Sequence, residues 1–256
     1  MTRARLALLA FFLVATQASA QPQPGLDFPL EQLLPRVLDA AGGQRRWAGI
    51  RDVALLETRK QLEPSGHVRA SEDLEIFLQN EPHINLLMVR HHRGVEIHQG
   101  WHRDSAWMVE DGLRVHDRGR IEAARRELLE TLFLVRLPFC LPEEPKGKLV
   151  YEGEYLLGGR RVHQVRYPSG EYPGGNTRLY VTRNSYELAA VGYHGPAGTF
   201  QQFAFRRQVE EHGVRQPWVR ELSTGGTVVR RDEVRKLKVN QWFSPDVFLP
   251  EAWLRR

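Results

Sequence analysis

The sequence predicts an α+β protein: one strongly curved antiparallel β-sheet, an incomplete barrel of about 11–12 strands, with helices covering the concave face. Three observations predict this. Apolar residues fall at helical spacing in two stretches only, 30–41 and 119–135. Elsewhere they alternate, in short runs split by Gly, Pro, Asn and Asp. The links between runs are too short for parallel crossovers, so neighbouring strands must run antiparallel. Twist accumulates at about 20–25° per strand, and a sheet this wide has to curl. Two amphipathic helices then have one apolar surface to cover, the inside of the curl.

The chain opens on an export signal. Arg3 and Arg5 precede an apolar run, Leu6 to Val14, and Ala18-Ser19-Ala20 is a small-residue cleavage site followed by polar Gln21. The run is far shorter than the roughly 20 residues a spanning helix needs. Cleavage is predicted after Ala20. Residues 21–256 then form one domain with no transmembrane segment and no lipidated N-terminal Cys, and the expected compartment is a bacterial periplasm. The single cysteine, Cys140, excludes a disulfide scaffold and has no partner to mispair with in an oxidising space. Apolar residues at 41% and charged residues at 26% suit a globule and exclude a disordered chain. No repeat is visible, which argues against solenoids and propellers. The formal charge of +5 falls to +3 without Arg3 and Arg5, and the basic residues are scattered rather than clustered. Nucleic acid is therefore not an expected partner.

In the first helix, Leu30, Leu33, Leu34, Val37, Leu38 and Ala41 make one stripe, and Gly42-Gly43 stops it. Trp47 is expected to be buried just beyond. Strands are expected at 52–63, 67–79, 83–92, 95–103 and 105–109. Their turns are Pro64-Ser65-Gly66, Asn80 to Pro82, Gly94 and Asp111-Gly112. The middle helix carries Ile121, Ala124, Leu128, Leu132 and Val135 on its apolar side. Arg125, Arg126, Glu127 and Glu130 are its expected wet side. Strands resume at 148–157, 161–167, 177–182, 187–193, 200–210, 215–222 and 227–239. Gly158-Gly159, Asn184-Ser185, His212-Gly213 and Gly225-Gly226 are their turns, and Pro168 to Asn176 is a longer loop. Trp242, Phe243, Phe248 and Trp253 in the tail are expected to fold back on the body.

Three segments carry a family resemblance. They are WAGIRDVALLETRKQ at 47–61, LPFCLPE at 137–143 and TRLYVTRNSYELAAVGY at 177–193. With the order signal, helix, meander, helix, longer meander, the chain resembles the LolA/LolB-like periplasmic lipoprotein carriers, and within them LolA-like proteins of unassigned role. The resemblance spans about residues 28–250 of the sequence. It implies a half-barrel closed by helices, with an apolar cavity for acyl chains. It implies no catalytic signature, and no functional residue of the carriers maps onto a position here.

The chemistry-bearing residues read as follows. His91, His92, His98 and His102 crowd one strand, where Glu96, His98, His102 and Asp104 share a side opposite Val95, Ile97 and Trp101. These are zinc-ligand types, but strand neighbours two apart sit about 6.6–7 Å apart. The expected face is a wet one, with no metal. Ser65, Ser169 and Ser223 lie in turns without a nucleophile elbow. Cys140, between Phe139 and Leu141, reads as buried packing. Gly158-Gly159, Gly174-Gly175 and Gly225-Gly226 read as hairpin corners rather than nucleotide loops. Glu152 and Glu154 alternate with Leu149, Tyr151 and Tyr155 as an ordinary two-faced strand. No cofactor is expected.

What remains is the apolar lining. Leu74, Ile76, Leu78, Ile84, Leu86, Met88, Trp101, Leu128, Leu132, Phe203, Phe205 and Trp218 are the expected cavity residues. Each buried acyl methylene is worth roughly 0.8 kcal/mol, so a cavity can hold lipid without any headgroup motif. The expected function is therefore that of a non-enzymatic carrier or sensor of lipid or acylated protein cargo in the cell envelope, with envelope proteins as further partners. Two alternatives stand beside it: an enzyme using the same cavity with the 91–104 histidine segment as its site, and an interaction module with a filled core.

Overall fold

The computed structural model describes residues 30–92, 94–141, 149–167, 177–195 and 198–255. The export signal, the loop 168–176 with Ser169, and Gly174-Gly175 lie outside them. The helices are α1 (Leu30–Ala40), α2 (Gln44–Ala48) and α3 (Arg118–Arg136). The strands are β1 (Asp52–Leu62), β2 (Val68–Gln79), β3 (Asn85–His92), β4 (Val95–His102), β5 (Ser105–Glu110), β6 (Leu113–Arg114), β7 (Val150–Leu157), β8 (Arg160–Tyr167), β9 (Thr177–Thr182), β10 (Leu188–His194), β11 (Phe200–Glu211), β12 (Val214–Thr224) and β13 (Thr227–Val239).

All thirteen strands belong to one antiparallel sheet, in the order β6-β5-β4-β3-β2-β1-β13-β12-β11-β10-β9-β8-β7. The strand beyond the expected 11–12 is β6, two residues that the Asp111-Gly112 turn folds back onto β5. Two meanders are thus joined edge to edge by their first and last strands. Val53 faces Val239 and Leu55 faces Leu237 across that seam. The sheet is open, because β6 and β7 end it without pairing to each other.

The sheet curls around α3. Arg120 of α3 bonds Glu110 of β5 at 2.7 Å, and Glu130 accepts from Tyr193 of β10 at 2.7 Å. Ten helical residues advance about 15 Å. The eight strand steps from β5 to β10 would span about 38 Å if flat. Helix α1 covers the other half of the concave face. Leu33 and Val37 pack with Leu179, Val191 and Phe203, while Leu38 reaches the cluster under α3. Gly42 ends α1 with a φ of +112°. A Cβ there would lie 2.0 Å from the Gly213 carbonyl oxygen in the β11–β12 turn, so the helix end and the turn touch through backbone alone. Trp47 stacks on Phe139 with centroids 4.7 Å apart, which seats the segment after α3 against α2. Cys140 is partly buried beside that segment.

The tail covers the convex face of β3, β4 and β5. Phe248 is fully buried with Leu87, Val89, Trp107 and Val109. The Trp107 indole N–H donates to the Phe248 carbonyl at 3.0 Å. Gly100 makes room for Trp107, since a Cβ there would fall 2.1 Å from the ring. Trp242 is the exception in the tail and stays 68% exposed, with the Arg51 guanidinium 4.3 Å from its ring centroid.

Three expectations fail. The face of β4 with His98 is not wet throughout: Glu96 and Asp104 are exposed, but His98 is 3% exposed, because the tail lays Trp253 over it at a centroid distance of 4.0 Å. Strand β7 does not alternate through its length. A bulge between Tyr151 and Gly153 shifts the register, so Tyr151 pairs across from Val165 while Tyr155 pairs across from Val162, on the other face. Glu127 and Glu130 are not on a wet side of α3. Both turn inward to arginines.

Candidate functional site

The concave hollow carries two apolar clusters. One lies under α3 and takes Leu74, Ile76, Leu78, Leu86, Met88, Trp101 and Leu128, with Ile84, Leu132 and Trp218 packed at its margin. The other lies under α1 and takes Phe203 and Phe205 with Leu179, Val191 and Tyr193. The twelve residues expected to line a cavity thus split ten and two between the clusters. They reach the concave side because alternation keeps them in phase: Val53, Leu55, Ile76, Leu78, Leu86 and Met88 pair across neighbouring strands.

Among the described residues, the apolar spaces inside the hollow are small. The apolar space between α1 and the sheet, lined by Leu30, Leu33, Leu34, Val37, Val165 and Leu179, measures about 20 Å³. A second, beside Leu134, Leu188 and Phe205, measures about 30 Å³. Ligand sites run to about 300–1,000 Å³. The larger openings are mouths rather than interiors. One of about 460 Å³ is bordered by Ile84, Trp101, Leu129 and Leu132 at the rim beside α3.

Between the two clusters runs a belt of charge that the sequence reading did not find. Arg59 faces Asp232 across β1 and β13, Asp232 faces Arg220 on β12, and Arg220 faces Phe205 on β11. Arg59 Nε donates to Asp232 at 3.1 Å and a second Arg59 nitrogen donates to Glu127. Arg90 on β3 donates to the same Glu127 oxygen at 2.7 Å. Arg230 donates to Glu130 at 2.6 Å and lies 3.2 Å from Asp232. Arg220 pairs with Glu57, and Glu72 lies 3.7 Å from Arg90. The signal was parity: Glu57 and Arg59 continue the inward phase of Val53 and Leu55 along β1.

Burial sets the titration of these groups. It pushes the Glu57 carboxyl above its ordinary range, against the opposing pull of Arg220. The same burial acts on Glu127, but Arg59 and Arg90 outweigh it and hold that carboxyl below the usual range. Asp232 is likewise held low, by Arg230 and then Arg59 against burial.

His98 and His102 do not join this site. Alternation puts His98 on the convex face, under Trp253, with its imidazole pushed down by burial. His102 Nδ1 is 2.7 Å from Asn85 Oδ1. Of the segment 91–104, Trp101 packs in the cluster under α3, and Trp101, Arg103 and Asp104 border the mouth beside it. Glu152 is held by Gln164, Arg166 and Arg178. Among the described residues, no helix is long and apolar enough to cross a membrane.

No protein-family model matches the chain, and no curated protein matches it. Solved structures do. A DUF1329 family protein from Desulfovibrio piger superposes with a TM-score of 0.56 at 10% identity, over 88% of this chain and 99% of that one. A domain from Vibrio parahaemolyticus named for outer membrane lipoprotein sorting gives 0.54 at 10% identity, over 87% of this chain and 100% of that one. A LolA superfamily protein from Nitrosomonas europaea is also similar, at 0.46 and 8% identity. The chain shares the fold of the Desulfovibrio piger and Vibrio parahaemolyticus proteins. At these identities the likeness speaks for the fold alone.

Proposed function

We propose that this protein is an exported carrier or sensor that takes up lipid, or the acyl chains of a lipoprotein, between its helices and the concave sheet. The observation that carries the reading is the hollow itself: two apolar clusters on an open, curled sheet, roofed by α1 and α3. No strand pairing has to break for either helix to lift. The expected lining residues, from Leu74 to Trp218, become the surface an acyl chain meets once a helix moves. A twelve-carbon chain yields up to about 10 kcal/mol of gross burial, against association costs of several kcal/mol and the cost of lifting the roof.

The rest of the reading follows from the sequence. Residues 1–20 are the export signal, the mature chain is one periplasmic domain, and its role is binding rather than catalysis. The likeness to a lipoprotein-sorting domain supports an envelope setting. Cargo is lipid or acylated protein, with envelope proteins as partners.

The test is extraction. Protein purified from its native host is extracted with organic solvent and the extract read by mass spectrometry, alongside titration with a fluorescent fatty-acid probe. Bound lipid at stoichiometric level, or saturable probe binding, supports the proposal. Absence of both overturns it.

A further inference from the structure

The charged belt has no place in a hollow built for acyl chains alone. Buried ion pairs are a weak source of stability, and well-packed apolar residues often replace them at no cost. Here the sheet floor presents four guanidiniums, Arg59, Arg90, Arg220 and Arg230, to three carboxylates, Glu57, Glu72 and Asp232. The excess is positive. It is covered by Glu127 and Glu130, which belong not to the floor but to α3, the element that has to lift. Lifting α3 strips its carboxylates from Arg59, Arg90 and Arg230 together. Fixed guanidinium forks of this kind suit carboxylate and phosphate oxygens. Even with α3 in place, Arg90 Nε and Arg220 Nε are buried without an acceptor among the described residues. Apolar surface adjoins the belt on both sides, with Leu74 next to Glu57 and Arg90 across the strands and the Phe203 ring centroid 4.9 Å from the Arg230 guanidinium.

We infer that the hollow takes an anionic amphiphile, its headgroup seated on Arg59, Arg90 and Arg230 in place of Glu127 and Glu130. The inference rests on the carrier reading and names its ligand class. With α3 in place, its two carboxylates stand in for the headgroup. The headgroup chemistry is an oxyanion, carried either by a fatty acid or by a phosphate ester.

The experiment compares chain-matched ligands on the full mature chain. Dodecanoate, dodecyl phosphate and dodecanol each compete with a fluorescent lipid probe below their micellar concentrations. Either anion, or both, should bind about tenfold tighter than dodecanol or more, and which anion leads identifies carboxylate or phosphate. The preference should shrink as salt rises. An Arg90→Met variant, checked for its fold by circular dichroism, should narrow the ratio of anion to alcohol affinity. Equal binding of all three ligands to the unaltered protein overturns the headgroup site and leaves the carrier reading standing. Binding of none of them, with no probe bound, overturns both. A preference unchanged in Arg90→Met and in Arg230→Met also overturns the site.

Discussion

Arg230 of β13 donates to Glu130 of α3 at 2.6 Å, and both side chains are almost out of solvent, at 12% and 13% exposure. This pair ties the roof of the hollow to its floor. Removing one member takes the closest opposite charge from the other, leaving Arg230 beside Asp232 or Glu130 with the Tyr193 hydroxyl, and breaking a buried pair costs up to about 3–5 kcal/mol. Glu130→Ala and Arg230→Ala should each lower stability by that order in urea unfolding. The double variant should lose less than the two together, because the second removal relieves the orphaned charge.

The belt also sets a pH response. Glu127 and Asp232 titrate below their ordinary range in the folded protein. Their contribution is present above about pH 4, where the unfolded carboxylates are charged, and is lost as pH falls through the depressed folded values. Glu57 works the other way. Its raised value favours the fold at low pH and costs stability as pH rises through the folded value. With two depressed groups against one raised, urea midpoints should fall steadily from pH 5 towards pH 2. In a Glu127→Gln variant that acid limb should be shallower.

A second pH response belongs to the tail. Burial lowers the His98 imidazole and His91 adds to it, while Glu96 at 3.1 Å opposes. A depressed histidine stabilises above about pH 6.5 and that stability is lost as pH falls towards the folded value. The contact of Trp253 on His98 should therefore weaken in mild acid. Limited proteolysis at pH 7.5 and pH 5.5 checks this: cleavage beyond Asn240 should be faster at the lower pH, and His98→Phe should remove the difference.

Gly100 is where the tail's seat is made. Gly100→Ala drives a methyl into the Trp107 ring, 2.1 Å from the built Cβ. Overpacking of this kind costs about 1–3 kcal/mol. The variant should lose near-ultraviolet dichroism from Trp107 and expose its tail to protease, while the hollow on the opposite face keeps its binding.

Much of the fold was legible because it is written locally. The shift from 3.6 to 2 in apolar period after Gly42-Gly43 gave α1 and the meander, and Asp111-Gly112 gave the β5–β6 corner. The belt was not legible, because charge was read as exposure: Arg59 and Glu127 meet only when residues 68 apart in sequence are folded together. The seam between β1 and β13 pairs Val53 with Val239, and no local pattern reports such a partner. The buried His98 was missed for a similar reason, since its cover is Trp253 at the other end of the chain. The bulge in β7 needed Gly153 at a φ of +116°, which a glycine permits but does not announce.

Photo-crosslinking tests the central claim most directly. A fatty acid with a diazirine in its chain is bound to the mature protein, irradiated, and the labelled residues are mapped by peptide mass spectrometry. The account predicts adducts on concave residues such as Leu74, Met88, Leu128 and Phe203, suppressed by excess unlabelled fatty acid. Adducts confined to the convex side, around Phe243 and Trp253, or labelling that no competitor reduces, would contradict it.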